Sequence, residues 1–247
     1  MQRKKTFQLF VVLGLLITLP LATAYFARQG FELRISALED DTPTHVVISD
    51  VSGNSFRVSW ITERAVIGGI LLSSQDRFAE DSKSSYHSIE IPGLKTSTEY
   101  KFELLSGTKE FKADDEKQYS VRTNGAVSTG KSYLVYGQVF SPDGFSVQQG
   151  GIITMRLESG TLSSQILSTT INEAGGYQFD IAGLLSKSLS RNYPYQTKVT
   201  AVLTVYISHE KTQVEKRHTV DFSINRQIPI VYLGDVNIDL IPAIDGT

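Results

Sequence analysis

The chain has no cysteine, and only one tryptophan and two methionines among its 247 residues. Without cysteine there is no disulfide, no thiolate metal site, no cysteine nucleophile and no lipid attachment through sulfur. An exported domain of this kind has to be held by its own core. A dominant charge is missing as well. Lys plus Arg number 24 against 26 Asp plus Glu, the net charge is -2, and no basic block occurs beyond the first few residues. That balance argues against nucleic acid as a partner. Proline is modest at 7 and glycine frequent at 19, while the hydrophobic share of 40% is ordinary for a globular chain. The length suits one large domain or two smaller ones.

The one long apolar run is at the start. Arg3, Lys4 and Lys5 precede an uncharged stretch from Thr6 to Ala27 whose centre, Phe7 to Leu21, is strongly apolar. This is a positive n-region followed by an h-region. Pro20 interrupts it, and Ala22-Thr23-Ala24 has the small residues of a cleavage site. The run is also long enough to span a bilayer. Residues 1–28 are therefore expected to be a signal peptide or a signal anchor. In the second case residues 6–27 form a hydrophobic helix in the membrane, with the basic residues cytoplasmic. Either way, the rest of the chain is expected to be exported, anchored facing outside or secreted to the cell surface.

From Thr42 onward helical periodicity is nearly absent, and short alternating runs are separated by turn residues. Val46 to Val51 reads as a strand. Phe56, Val58 and Trp60 alternate with Arg57 and Ser59, predicting one buried and one wet face. Val66 to Leu72 is continuously apolar and reads as a central strand. His87, Ile89 and Ile91 alternate, as do Tyr100, Phe102 and Leu104, and Tyr119 with Val121 follows. That makes about seven strands in roughly 80 residues, the size of an immunoglobulin-like sandwich. Residues 124–131 are small and polar, a linker too short to let two domains separate far.

A second series spans residues 132–234. Tyr133, Val135, Gly137 and Val139 share one strand face, ending at Pro142-Asp143-Gly144. Strands are predicted over 152–157, 165–171 and 177–181. Val199 to Ile207 is the longest alternating run; Val214 to Ile224 returns antiparallel, and Ile228 to Leu233 closes the set. Ala182 to Ser190 is left as a short helix or an irregular crossover. Residues 235–247 form an acidic tail. The expected fold is all-β: two tandem antiparallel, immunoglobulin-like β-sandwiches after an N-terminal hydrophobic helix.

Residues 42–123 resemble a fibronectin type III domain. Phe56-Arg57-Val58-Ser59-Trp60 looks like its second strand with the core tryptophan. Gly93-Leu94 with Thr98-Glu99-Tyr100 looks like the turn and tyrosine corner entering the sixth strand, and Tyr119 to Thr123 like the closing strand. Thr96 stands where the family usually has Pro. The style is that of bacterial surface proteins, similar also to the sandwich preceding the catalytic domain of purple acid phosphatases. Residues 132–234 resemble a carboxypeptidase regulatory-like (transthyretin-like) sandwich. The carriers are Val135 to Val139, Gly144, Gly150 and the run Gly175-Gly176-Tyr177-Gln178-Phe179. Both resemblances imply structural or adhesive modules.

No motif for chemistry emerges. His45, His87, His209 and His218 show no ligand spacing, and no nucleophile elbow or Walker loop occurs. The chain is expected to be no enzyme, with no catalytic residue, metal or cofactor. Trp60 is expected in the core. Tyr193-Pro194-Tyr195 is the best exposed aromatic candidate for binding, since Pro keeps the segment irregular, although a loop folded back on its own sandwich is the competing reading. Asp114-Asp115-Glu116 is a candidate cation-holding loop. Asp235-Val236-Asn237-Ile238-Asp239 has the opening rhythm of a calcium loop, but Leu240 stands where Gly is needed and Gly246 where the bidentate Glu belongs. Lys131 and Asn225 are a conceivable isopeptide pair. The expected role is an extracytoplasmic spacer or assembly and adhesion subunit. Two alternatives remain open: a binding module for a cell-wall polymer, glycan or protein, and a non-catalytic accessory of an exported hydrolase. The expected partners are other surface proteins or cell-wall polymer.

Overall fold

A computed structural model describes residues 41–113, 117–125, 132–194, 198–207 and 212–234. The N-terminal segment, the acidic loop at 114–116, Lys131, Tyr195, His209 and the tail from 235 lie outside the described residues. Among those described, no helix is long and apolar enough to cross a membrane.

From Pro43 onward the described residues form one compact unit containing two hydrophobic cores. Around the first run β1 (Thr44–Ser49), β2 (Phe56–Val66), β3 (Gly68–Leu72), β4 (Arg77–Ala79), β5 (Ser84–Ile91), β6 (Glu99–Ser106), β7 (Lys109–Phe111) and β8 (Tyr119–Arg122). They form two sheets, ordered β1-β2-β5 and β4-β3-β6-β7, with β8 also on β6. All pairs are antiparallel. This is a fibronectin type III-like sandwich: first, second and fifth strands in one layer, third, fourth, sixth and last in the other. Period-2 alternation builds the core. Phe56, Val58 and Trp60 of β2 face Ile70 and Leu72 of β3 and Phe102 and Leu104 of β6, all at 2% exposure or less. Tyr100 makes the expected tyrosine corner: its hydroxyl accepts a hydrogen bond from the Lys95 backbone N–H at 2.8 Å.

The run from Val66 to Leu72 is not one strand. Val66 ends β2, Ile67 is 41% exposed, and Gly68 begins β3. The chain changes sheets there, and only glycine fits. A Cβ on Gly68 would stand 2.3 Å from His87 Nδ1 and 2.8 Å from Trp60 Cζ2.

The second core is enclosed by β9 (Leu134–Phe140), β10 (Ile152–Ser159), β11 (Leu162–Ser163), β12 (Leu167–Thr170), β13 (Gly176–Asp180), β14 (Val199–Ile207), β15 (Thr212–Val220) and β16 (Val231–Tyr232). One sheet is β11-β10-β14-β15 with β12 on β10; the other is β13-β9-β16. Two expectations need correction. The strand expected over Val214–Ile224 stops at Val220, because Asp221 closes a turn by accepting from Ser223 N–H and Asn225 N–H follows onto its carbonyl. The last strand pairs with β9 in parallel, not antiparallel. Residues 182–190 are irregular, held by bridges from Leu185 to Asn192 and Ser164 to Ser186.

The two sandwiches meet face to face. Ile153, Met155 and Leu157 of β10 point into the second core, so Ile152 and Thr154 point out. Yet these outward residues are 0% and 7% exposed. Likewise Ser59 and Ile61, alternating with the core residues of β2, are 0% and 1% exposed. Strands β10 and β12 lie against β1, β2 and β5, so each outer face is the other's cover. The wet face expected for β2 is therefore dry at Ser59.

Candidate functional site

The residues at this joint are polar, and they are paired. Ser168 Oγ of β12 lies 2.6 Å from Ser49 Oγ of β1 and 2.9 Å from Ser59 Oγ of β2. All three serines are at least 97% buried. Ser59 also donates to Ser88 Oγ at 3.1 Å. Asp50, just past β1, joins the network through Oδ2, which accepts from Ser49 Oγ at 2.6 Å and from Ser168 N–H at 3.0 Å. Its own backbone N–H donates to Ile166 O at 3.0 Å. To do so Asp50 takes φ of 50°, a left-handed conformation that Asp and Asn tolerate better than most residues. Desolvation at the joint pushes the Asp50 carboxyl above the ordinary carboxylate range. The bonds from Ser49 and Ser168 and the charge of Arg57 oppose this, and Glu90 adds to it. Further along, the Tyr86 ring lies against Gly150 (φ 72°), where a Cβ would come within 2.4 Å of Tyr86 Cε2. The His45 and Tyr206 rings meet at 5.1 Å.

Beside these contacts a cleft of about 380 Å³ opens between the sandwiches. Ser120, Val121 and Arg122 of β8, with Ile48, Ser49 and Val51 at the end of β1, line it from the first sandwich. Ser164, Gln165 and Ile166, with Lys187 and Leu189, line it from the second, together with Arg156. Its lining carries three cationic side chains and no carboxylate.

A second polar cluster is enclosed in the first core. His87 shares the inner face of β5 with Ile89 and Ile91 and stacks on Trp60, centroids 4.8 Å apart at 19°. Its Nδ1 is 2.7 Å from Glu80 Oε2 and its Nε2 is 3.1 Å from Thr62 Oγ1. The Thr62 hydroxyl donates its one proton to Arg64 O at 2.7 Å, so toward His87 it accepts, and Nε2 carries hydrogen. Glu80 also accepts from the backbone N–H groups of Gly68 and Ser88, both at 3.3 Å. The order carboxylate, imidazole, hydroxyl is that of a proton relay. However, His87 and Thr62 are fully buried and the hydroxyl proton is committed, so the cluster braces the core.

The sites expected from sequence fare differently. Trp60 is in the core, as expected. Tyr193 is 1% exposed and belongs to the second core, which agrees with the folded-back reading of the loop and removes Tyr193 as an exposed binding candidate. Its backbone N–H donates to Leu184 O at 2.7 Å, folding the segment back and putting the ring inside, so it offers no stacking face. Its neighbour Tyr195 lies outside the described residues. Asn225 is exposed in the Asp221 turn, with Oδ1 accepting from Gln227 N–H, and not in a strand. His218 is half-buried, its pKa lowered by desolvation and then by the Lys216 charge. Among the described residues no group of three or more His, Asp or Glu is placed to hold a metal.

Sequence reasoning missed the joint. The available signal was the outward strand positions, which carry Ser49, Ser59, Ile61, Thr154 and Ser168 where a solvated face would carry long charged side chains.

The chain is thus an all-β protein of two sandwiches, the first with fibronectin type III-like strand order. No family model matches it, and no curated protein does. Among solved structures it is similar to a two-domain fibronectin type III segment of chicken tenascin, at 11% identity, covering 73% of this chain and 99% of that one, with a TM-score of 0.23. It is also similar to the FN1-FN3 domains of chicken CNTN1, at 12% identity, covering 77% and 67%, with a TM-score of 0.24. The fold assignment rests on the strand order and the tyrosine corner.

Proposed function

We propose that this chain is a non-catalytic structural module whose two sandwiches act as one rigid body, a spacer or assembly subunit exported to the cell surface. The observation that carries the reading is the network of the buried Ser49, Ser59 and Ser168 hydroxyls with the partly exposed Asp50 carboxylate. Directional bonds between two closed cores fix orientation, whereas a flexible linker alone would leave the domains free to move. Export is supported by the basic residues and apolar run at the N-terminus. The turn at Gly175 that leads from β12 into β13, and the pairing of β13 with β9, support reading the second sandwich as carboxypeptidase regulatory-like.

The absence of cysteine makes the test clean. Spin labels on Ser74→Cys and Glu173→Cys, exposed turn residues of the first and second sandwich, report one distance. A single narrow distribution is expected. A broad or multimodal one would show hinged domains and refute the rigid spacer. Crosslinking on intact cells then identifies what the module joins. Recurrent links to one surface protein or to itself support an assembly role, and sedimentation with wall material without protein links points instead to a polymer-binding module.

A further inference from the structure

The cleft beside the joint has the features of a peptide site. Side chains in a strand alternate between faces, so a cleft lined by three consecutive residues is lined by the edge of their strand. Ser120, Val121 and Arg122 are such a set. Strand β8 pairs with β6 on one side; no described strand pairs with the other, which is closed only past its end, where Asn124 N–H donates to Ser52 O at 2.8 Å. A strand edge left open in this way is a template for an added strand.

The chemistry of the walls narrows the guest. Arg122 and Lys187 have neither an ion pair nor a side-chain hydrogen bond among the described residues. Arg156 spends Nε and Nη2 on Glu158, at 3.0 and 2.8 Å. With Arg156 paired, the two uncommitted cations Arg122 and Lys187 facing a cleft whose lining has no carboxylate select an anionic guest. Between them Ile166, 38% exposed, and Leu189 supply apolar surface. Gln165 also lines the cleft. The residue is 9% exposed, and its Oε1 is buried without a hydrogen-bond partner. An orphaned acceptor of this kind is relieved when a donor arrives, and the terminal amide bond turns easily, so a peptide N–H is a suitable match.

We propose that the cleft binds an extended acidic peptide segment, added as a strand along the open edge of β8. Its carboxylates pair with Arg122 and Lys187 and its alternate apolar side chains lie on Ile166 and Leu189.

The test is a titration of backbone amide resonances of the full chain with acetyl-Asp-Val-Asp-Val-amide, its Lys-Val-Lys-Val counterpart and inorganic phosphate. The acidic peptide is expected to give saturable shifts at residues 120–122, 164–166 and 187–189, with slowed exchange of β8 amides. The lysine peptide should bind about ten-fold more weakly or worse. The double variant Arg122→Glu, Lys187→Glu changes rim side chains only. It should keep a dispersed spectrum and lose the response by a similar factor. No saturable shift at millimolar peptide, equal binding of both peptides, or an unaltered response in the variant would overturn the proposal. So would phosphate alone reproducing the β8 shifts, which would mark a simple anion site.

Discussion

Replacing Ser168 by valine tests whether the first sandwich depends on the second. Ser168 is in β12 of the second sandwich, and its hydroxyl lies between Ser49 and Ser59, the chain neighbour of Trp60, at 2.6 and 2.9 Å. Valine suits a strand, so backbone preference does not confuse the result. Truncation to alanine loses the one hydrogen bond that the Ser168 hydroxyl can donate. Ser49 keeps its bond to Asp50 and Ser59 its bond to Ser88, so the cost should be near that of one buried bond, about 1 kcal/mol. Valine adds two methyls where two hydroxyls converge, and overpacking of that kind adds about 1–3 kcal/mol. The sum for valine is about 3 kcal/mol. With a urea slope of about 2 kcal/mol/M the midpoint should fall by about 0.5 M for alanine and about 1.5 M for valine. Trp60 is the only tryptophan and is buried in the first core, so its fluorescence follows the first sandwich alone, whereas far-ultraviolet dichroism follows both. The expected result is a shift of the Trp60 transition by a substitution in the other sandwich. If Trp60 unfolds at the wild-type midpoint in Ser168→Val while dichroism shows an earlier loss, the sandwiches are energetically independent and the joint contributes nothing to the first.

Further outcomes follow from the same contacts. The folded pKa of Asp50 is raised, so its contribution is fully present below the unfolded value, about 3.9, and is lost as pH rises through the folded value. Asp50→Asn should flatten that fall in urea midpoint from pH 4 to 7 and be no less stable at pH 7; an unchanged pH profile would refute the assignment. Asp50→Ala should cost about 2 kcal/mol at pH 7, because it orphans the Ser168 N–H and puts alanine at positive φ, seen as a lower melting temperature than Asp50→Asn. Gly68→Ala should lose about 3 kcal/mol, its Cβ colliding with the buried His87 and Trp60; a near-native melting temperature would mean that the corner can shift. Glu80→Ala should cost about 2–3 kcal/mol by removing the partner of His87 Nδ1 and the acceptor of two backbone N–H groups, while Glu80→Gln, which keeps an oxygen there, should cost less in the same denaturation assay.

How much of this was legible depends on whether the cause was local. The alternation of Phe56, Val58 and Trp60 and the spacing from Gly93 to Tyr100 were readable because a strand face and a corner are properties of neighbouring residues. The break after Val66 was hidden by an unbroken apolar run, although Gly68 inside it marked the corner. Tyr193 beside Pro194 looked like an exposed loop, since nothing local says that Tyr193 N–H will be drawn onto Leu184 O. The joint was the hardest to read: Ser49 and Ser168 are 119 residues apart and Ser59 and Ser168 are 109 apart, so their pairing belongs to the tertiary structure alone. The outward residues differ in kind even so. Where β2 and β5 meet water, Arg57 and Glu90 form an ion pair at 3.0 Å; where the same strands meet β12, the outward residues are small hydroxyls and an isoleucine. Long charged side chains keep a sheet face in water, while short hydroxyls can be buried once each has a partner. An outward strand face that switches from charges to serines therefore signals a second surface in register with it, and here that surface is the second half of the same chain.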